Sequence, residues 1–415
     1  MAIPKIALIP SGVKAGKLYS VLPTNGDGDF TTTRASVATR VNENGLIEEV
    51  AANVPRLDYS DGGCPSLLLE PDSTNIITYS EDFSNTYWVK AGSTITSSVG
   101  IDPSGLSNSY TLEATGTSQP NISNFYTWSD NTEYALSCFI KPNIGDYVAF
   151  GVYGNVIGDS WLRIDLTDNS LSYYGTGFSD GKVDVFENGW IRLSVKYIST
   201  SINASRSRFK ISLSTLGSFS SGVIGDKIDI FGAQLEENSY ATSYIKTVGT
   251  AQTRSADTAN GAGNASVINS SEGTLYFKGS ALADGGSERA ISISDGVGTN
   301  AVQIYYRVAT NTLSYYIGSS LGGSSSQTVV VSDITLNKKI ALKWKLNDVE
   351  LYVDGVSVLQ DTTVNPPSPS SLVNLQTANA IGNDSFTGNV KDLRVYNTAL
   401  SDIEIEKLTS YTSFT

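Results

Sequence analysis

The sequence predicts an all-β chain built as two successive antiparallel β-sandwiches after an N-terminal segment. Three observations carry that prediction. Apolar residues alternate with polar ones in row after row, as in Ile191, Leu193, Val195 and Tyr197 or Ile340, Leu342, Trp344 and Leu346, the period of a half-buried strand. The rows end at turn pairs such as Asn44-Gly45, Asn188-Gly189, Asn347-Asp348 and Asp354-Gly355, which favour tight hairpins. The composition, with only 17% charged residues, 22 Tyr, 38 Gly and one Met, suits a β-rich surface protein rather than a helical enzyme. At 415 residues the chain is too long for one core and implies two or three domains.

Charge and missing residue types narrow the function classes. A net charge of −13 and a pI near 4.5 leave no positive field to collect phosphates, which argues against nucleic acid and anionic membranes. No apolar run approaches the roughly 20 residues of a spanning helix. The start, MAIPKIALIPSGVKAGK, has Pro4 and Pro10 inside its short apolar part and no small-residue cleavage site, so it makes a poor signal peptide. The absence of His excludes Ser-His-Asp and Cys-His catalysis and removes the commonest zinc ligand. Cys64 and Cys138 fall in different predicted elements and are expected as two buried thiols acting as small apolar groups rather than as a disulfide.

In chain order, residues 1–75 form an N-terminal region. It holds a Gly/Pro/Asp-rich start and a hairpin of Ser36–Asn42 and Leu46–Val50 around Asn44-Gly45. Residues 76–246 read as a jelly-roll-like sandwich. Tyr134, Leu136, Cys138 and Ile140 alternate and stop at Pro142, and Val148, Phe150 and Val152 follow. Leu162, Ile164 and Leu166 point opposite to Trp161, Arg163 and Asp165, and Phe231–Leu235 closes the domain. Residues 247–272 have little apolar content and read as a linker.

Residues 273–415 form the second sandwich. Its centre is a meander through Ile340–Leu346, Val349–Val353 and Val356–Leu359. Asn365-Pro366-Pro367-Ser368-Pro369 must be a loop. Ser401 and Glu404 have capping-box spacing, which predicts a terminal helix over Asp402–Leu408. An internal echo links the halves: Asn169-Ser170-Leu171-Ser172-Tyr173-Tyr174 returns as Asn311-Thr312-Leu313-Ser314-Tyr315-Tyr316.

Two resemblances add to this. Phe30-Thr31, Thr33-Arg34-Ala35, Ala38-Thr39-Arg40-Val41, Gly45-Leu46-Ile47, Asn53–Tyr59, Cys64–Glu70, Thr74-Asn75-Ile76, Tyr79–Phe83 and Trp88 run nearly colinear with the leader of a group of bacteriophage virion proteins. Gln234-Leu235-Glu236-Glu237, Thr242-Ser243-Tyr244-Ile245, Thr253-Arg254 and Asp257 resemble the end of a β-sandwich module in the same proteins, mostly tail fibres, head fibres and other surface adhesins. Ser73 departs from that pattern, where the family carries a longer basic residue. Gly388–Tyr396, Ala399-Leu400-Ser401 and the Tyr352–Val356 hairpin are similar to the ending of laminin-G-like, concanavalin-A-like domains, over about residues 270–410.

The phage resemblance implies a virion surface protein, made in the host cytoplasm. Its N-terminal region would attach to other virion proteins, and its sandwiches would touch a host cell-surface glycan. It further implies a homotrimer and leaves open whether head or tail carries it. The sandwich fold alone carries no function.

Candidate chemistry is correspondingly sparse. A retaining glycosidase needs two carboxylates flanking the scissile bond, and no strand in residues 270–400 has Glu and Asp at even offsets. Glu404 and Glu406 lie two apart on the predicted helix and face different directions. Glu236-Glu237 are expected as solvated residues at a strand end. No catalytic residue, cofactor or metal is therefore expected. Asp295, Asn383 and Asp384 have the composition of a calcium loop but read as Asx-turn residues.

Sugar rings call for flat aromatic faces beside amides and hydroxyls. Trp161, Tyr173, Tyr174, Tyr305, Tyr306, Tyr315 and Tyr316 are the ligand-binding candidates. Alternation should turn one member of each of the Tyr305–Tyr306 and Tyr315–Tyr316 pairs inward. Trp190 and Trp344 are assigned to cores. Adhesion to glycans is the expected function. A capsid decoration protein without an external ligand and a polysaccharide depolymerase are the alternatives, the latter disfavoured by carboxylate spacing.

Overall fold

The computed structural model describes residues 2–153, 159–199 and 208–410. The chain folds into two compact units. One comprises Met1–Arg40, Val50–Asp72 and Ser255–Thr415, the other Val41–Glu49 and Ser73–Arg254. The stretches read from sequence as leader and linker both supply strands. Ile6–Leu8 and Ser66–Leu69 pair with Gly388–Tyr396. Gln252–Arg254 pairs with Ser73–Asn75, and Thr258–Asn260 with Phe30–Thr33. Such three-residue strands are too short to show alternation. Threonine hydroxyl pairs join them instead, Thr74 with Thr253 at 2.8 Å and Thr33 with Thr258 at 2.7 Å.

The unit holding Ser73–Arg254 is a sandwich of two six-stranded antiparallel sheets. One sheet runs Val89–Ala91, Asn121–Phe125, Arg208–Leu213, Tyr147–Tyr153, Ser160–Asp165 and Leu171–Tyr174. The other runs Ser93–Ser97, Tyr110–Ala114, Lys227–Glu236, Glu133–Ile144, Ile191–Ile198 and Phe178–Val185. The alternating residues of both meet in one core, including Leu136, Cys138, Ile140, Phe150, Leu162, Ile164, Leu193 and Val195. The strand that opens at Glu133 does not stop at Pro142, as expected, but continues to Ile144. The register with Lys227–Glu236 shifts between Pro142 and Ile144, an irregularity of the kind that accommodates a residue with no N–H to give. Trp190, Phe139, Phe231, Tyr244 and Ile47 form a second, smaller cluster.

The other unit is also a sandwich. Its five-stranded sheet runs Gly323–Val330, Thr312–Ser319, Ala301–Tyr306, Arg289–Ser294 and Asn374–Gln376. The facing eight-stranded sheet contains the predicted meander: Lys338–Trp344, Val349–Val353 and Val356–Asp361. The meander turns at Asn347, Asp354 and Gly355, all at positive φ, as Asn, Asp and Gly permit. Trp344 is fully buried, its indole N–H donating to the Ser270 carbonyl at 3.2 Å. The helix spans Asp402–Thr409. The Glu404 carboxylate accepts the Ser401 N–H at 3.2 Å and its hydroxyl at 3.0 Å, and Ile405 packs on Tyr276, Tyr352 and Tyr396.

The stretches around Arg34, Arg56 and Asp257 and around Ser73, Glu236 and Arg254 fold into two buried polar networks, one in each unit. In the first, Arg34 donates to Asp257 at 3.1 Å and to the carbonyls of Ser36, Val50, Ala51 and Val54. Arg56 donates to Asp257, to Glu70 at 2.5 Å and to the Thr39 carbonyl at 3.1 Å. All four side chains are at most 6% exposed. In the second, Glu236 accepts from the Ser73 hydroxyl at 2.6 Å, the Thr242 N–H at 2.9 Å and the Thr242 hydroxyl. Arg254 donates to the hydroxyls of Thr242 and Ser243. Glu236 was expected in solvent and is wholly buried, because its carboxylate caps the strap that follows it; its neighbour Glu237 is exposed.

The thiols also part company. Cys138 is in the core as expected, but Cys64 is exposed, sitting in the Asp61–Pro65 turn rather than on a strand.

Two predictions follow from this packing. Asp257→Ala leaves two guanidiniums and one carboxylate in the buried cluster, and removing one partner of a buried pair costs about 3–5 kcal/mol. Denaturant unfolding should show that loss; a change under about 1 kcal/mol, the size expected of an exposed pair, would mean that the two arginines do not depend on Asp257. Burial pushes the Cys138 thiol up to about 12, so it holds almost no thiolate near neutral pH. Folded protein should therefore react with a thiol reagent at Cys64 alone, and both cysteines should react in denaturant.

Candidate functional site

The outward face of the five-stranded sheet gathers the second set of candidate aromatics. Cross-strand register fixes who lies beside whom. One row reads Gln376, Ser292, Gln303, Tyr316 and Ser326; the next reads Ala290, Tyr305, Ser314 and Thr328. Tyr305 and Tyr316 are thus diagonal neighbours on one face, both half-buried. Tyr306 and Tyr315 are fully buried on the opposite face. Tyr306 packs on Phe277 and Phe386 with centroids 6.3 and 5.3 Å away, and the Tyr315 hydroxyl meets Ser325 at 3.1 Å. These two are core residues and leave the ligand-binding set, because successive strand residues face opposite ways.

Tyr316 lies flat along its own strand. A Cβ on Gly318 would come to 3.0 Å from the Tyr316 ring, so the missing side chain there leaves room for the phenol. Directly across, the Gln303 carboxamide oxygen accepts the Ala380 N–H at 2.9 Å. Its Nε2 carries no hydrogen bond among the described residues, although the side chain is 3% exposed. Ser292, next in the row, has a buried hydroxyl without a partner among the described residues.

At Tyr305 the Arg307 guanidinium stacks 4.5 Å from the ring centroid. Its Nε donates to the Ser314 hydroxyl at 2.7 Å and its Nη1 to both Glu288 oxygens at 2.9 Å. Nη2 is left without a bond among the described residues. Burial first, then the neighbouring Asp384 carboxylate, raises the Tyr305 phenol above its ordinary range, keeping it a neutral hydroxyl.

The face is open on one side and covered on the other. Ser324, Ser326 and Thr328 on the edge strand are exposed. Toward Arg289–Ser294 the segment 377–385 closes over it. Ser294 donates to the Ala380 carbonyl at 3.1 Å, and the Ala290 N–H donates to the Asp384 carbonyl at 2.8 Å. Asp384 accepts from Asn379 at 2.7 Å, and Asn383 lies exposed in the same loop. Asp295 accepts the N–H groups of Val297, Gly298 and Asn300, the Asx-turn role expected of it. Among the described residues no three of His, Cys, Asp and Glu cluster as metal ligands.

The remaining candidates belong to the other sandwich. Trp161 points outward from its core, yet is only 3% exposed. Its indole lies across Gly151, where any Cβ would collide with it, and under Lys210, whose Nζ is 5.6 Å from the ring. It is a packing residue on an outer face rather than an open platform. Tyr174 is 60% exposed and tilts against Phe219 at 5.8 Å. Tyr173 is 45% exposed, and its hydroxyl accepts the Gly181 N–H at 2.9 Å.

Sequence reasoning missed Gln303, Arg307 and Glu288. Gln303, Tyr305 and Arg307 alternate at even spacing; that signal was available once Tyr305 was taken as outward.

Residues 262–406 match a laminin G family described as the concanavalin A-like lectin/glucanases superfamily. That segment has the concanavalin-A-like, laminin-G fold. No curated protein matches the chain. Solved structures that it resembles include the CBM40 module of the Ruminococcus gnavus IT-sialidase bound to α2,3-sialyllactose. There the identity is 16% over 36% of this chain and 94% of that one, with a TM-score of 0.31. Mouse laminin α1 domains LG4-5 are 11% identical over 70% of this chain and 92% of theirs, with a TM-score of 0.23. The leech intramolecular trans-sialidase is 18% identical over 35% of this chain, at a TM-score of 0.30, and the chain spans 24% of that enzyme.

The contrast between buried and open aromatics predicts different costs. Trp161→Ala should destabilise its sandwich by about 3–5 kcal/mol, the usual range for emptying an aromatic site. Tyr174→Ala should stay within about 0.5 kcal/mol, as surface changes do. Equal effects in thermal unfolding would mean that Trp161 is not sealed.

Proposed function

We propose that the protein is a glycan-binding adhesin on the surface of a bacteriophage virion and that it performs no chemistry on its ligand. The observation that carries the binding part is the outward face holding Tyr305 and Tyr316. Two aromatic rings lie there beside the unbonded donors of Gln303 and Arg307. A pyranose has one apolar face and a rim of hydroxyls. The Tyr316 ring offers a surface for the former, while Gln303 Nε2, Arg307 Nη2 and the exposed hydroxyls of Ser326 and Thr328 offer partners for the latter. The lectin-like fold of residues 262–406 supports the same reading.

The virion setting rests on the resemblance of residues 30–88 and 234–257 to phage surface proteins. Its motif residues are the ones engaged in the two buried networks. On this reading the N-terminal region meets other virion proteins, and three copies assemble into a fibre or spike that touches the host surface.

The test is adsorption. Tyr305→Ala with Tyr316→Ala should reduce attachment to host cells by about tenfold or more, since binding hot spots are worth about 1–3 kcal/mol each. The melting temperature should stay nearly unchanged. Undiminished adsorption by a folded variant overturns the placement of the site. Absence of the protein from purified particles, probed with an antibody to residues 273–410, overturns the virion assignment.

A further inference from the structure

We propose that this face selects uncharged glycans and rejects carboxylated or phosphorylated ones, with the Glu288–Arg307 pair as the selecting element; the inference rests on the glycan-binding reading above. Arg307 carries the only positive charge on the outward face of the five strands among the described residues. That charge is already engaged, because Nη1 reaches both Glu288 oxygens at 2.9 Å while Tyr305 stacks on the guanidinium plane. A second carboxylate, Asp384, is exposed at the rim, and its backbone carbonyl is bonded to Ala290, the cross-strand neighbour of Tyr305. The platform thus faces one paired cation and two anions, within a chain of net charge −13.

An anionic sugar over Tyr316 would find the Arg307 charge already balanced by Glu288, with Asp384 at the rim as a second carboxylate and no further cation on this face among the described residues. Like charges repel appreciably wherever water is partly excluded. A neutral sugar meets no such penalty. Arg307 Nη2 and Gln303 Nε2 can donate to its hydroxyl oxygens, and the Glu288 carboxylate can accept from its hydroxyl hydrogens without breaking the ion pair. The pair then works as a combined donor and acceptor for a diol instead of as a cationic clamp.

The experiment compares full-length protein on arrayed neutral hexose oligosaccharides and on their uronic acid counterparts of the same linkage. The wild type should bind a neutral member at least about tenfold more tightly than its acidic counterpart. Raising the salt should narrow that gap as repulsion is screened. Glu288→Gln should raise binding of the acidic series at least about fivefold by freeing Arg307. Equal or tighter binding of the acidic series by the wild type, still abolished by Tyr316→Ala, overturns the selectivity and leaves the glycan-binding reading standing. A gap unmoved by Glu288→Gln removes the pair from its role. Binding of neither series overturns this inference together with the reading beneath it.

Discussion

The bond on which the larger sandwich depends is the one Asp257 makes to two arginines at once. Its oxygens receive Arg34 on one side and Arg56 on the other, its N–H donates to the Glu70 carbonyl, and Arg56 also holds the Glu70 carboxylate. These residues come from three separated stretches of chain, and one unit contains them all. Two guanidiniums balance two carboxylates, so the burial of four charged groups leaves no net charge in the interior. Such a cluster is a poor source of stability compared with apolar packing, but a wrong partner would leave a buried charge unpaired. It joins the three stretches in one interior. The strands Arg56–Asp58 and Ser66–Leu69, which flank it, enter the eight-stranded sheet beside Gly388–Tyr396. Glu236, Ser73, Thr242 and Arg254 do the same for the other unit with hydroxyls in place of a second carboxylate.

With the sheets pinned, the candidate site follows from local rules. Alternation sends Tyr306 and Tyr315 to the core, and their hydrophobic burial leaves Tyr305 and Tyr316 on the other face without further choice. Gly318 then decides the attitude of one ring, and Arg307 the environment of the other. The segment 377–385 covers the face only as far as Gln303, whose carboxamide it engages through Ala380. The open part is the remainder.

Much of the fold was legible in the sequence because its signals are local. Strand rows, the Asn347 and Asp354-Gly355 turns and the Ser401–Glu404 cap each depend on residues within a few positions of one another, and each is where spacing placed it. What spacing did not convey was long-range. Nothing near Ser73 announces a partner at Glu236, and a short threonine-bearing strand such as Thr258–Asn260 looks like linker until Phe30–Thr33 is beside it. Glu236 looked solvated for the same reason: a carboxylate beside another at a strand end is usually exposed, and only the returning Thr242 buries it. For the candidate aromatics, alternation told inside from outside but not open from covered. Trp161 faces away from its core as read, and Lys210, two strands away across Gly151, covers it.

The internal echo shows how one local pattern can yield different surfaces. Asn169 and Asn311 both adopt the left-handed conformation, at φ 62° and 51°, so the same turn feeds both Leu-Ser-Tyr-Tyr strands. Register then repeats as well, for Tyr174 lies across from outward Trp161 and Tyr316 across from outward Gln303. The second tyrosine faces out in both sandwiches. The strand's place in its sheet makes the difference. Leu171–Tyr174 is an edge strand, with Tyr174 largely in solvent against Phe219. Thr312–Ser319 has Gly323–Val330 on its far side, so Tyr316 lies in a floor that continues into Ser324, Ser326 and Thr328. An aromatic ring set in a floor of hydroxyls is half desolvated before any ligand arrives and loses little side-chain freedom on binding. A ring at an edge must be ordered first. That difference, and not the tyrosine pair itself, is what favours the second sandwich as the proposed binding surface.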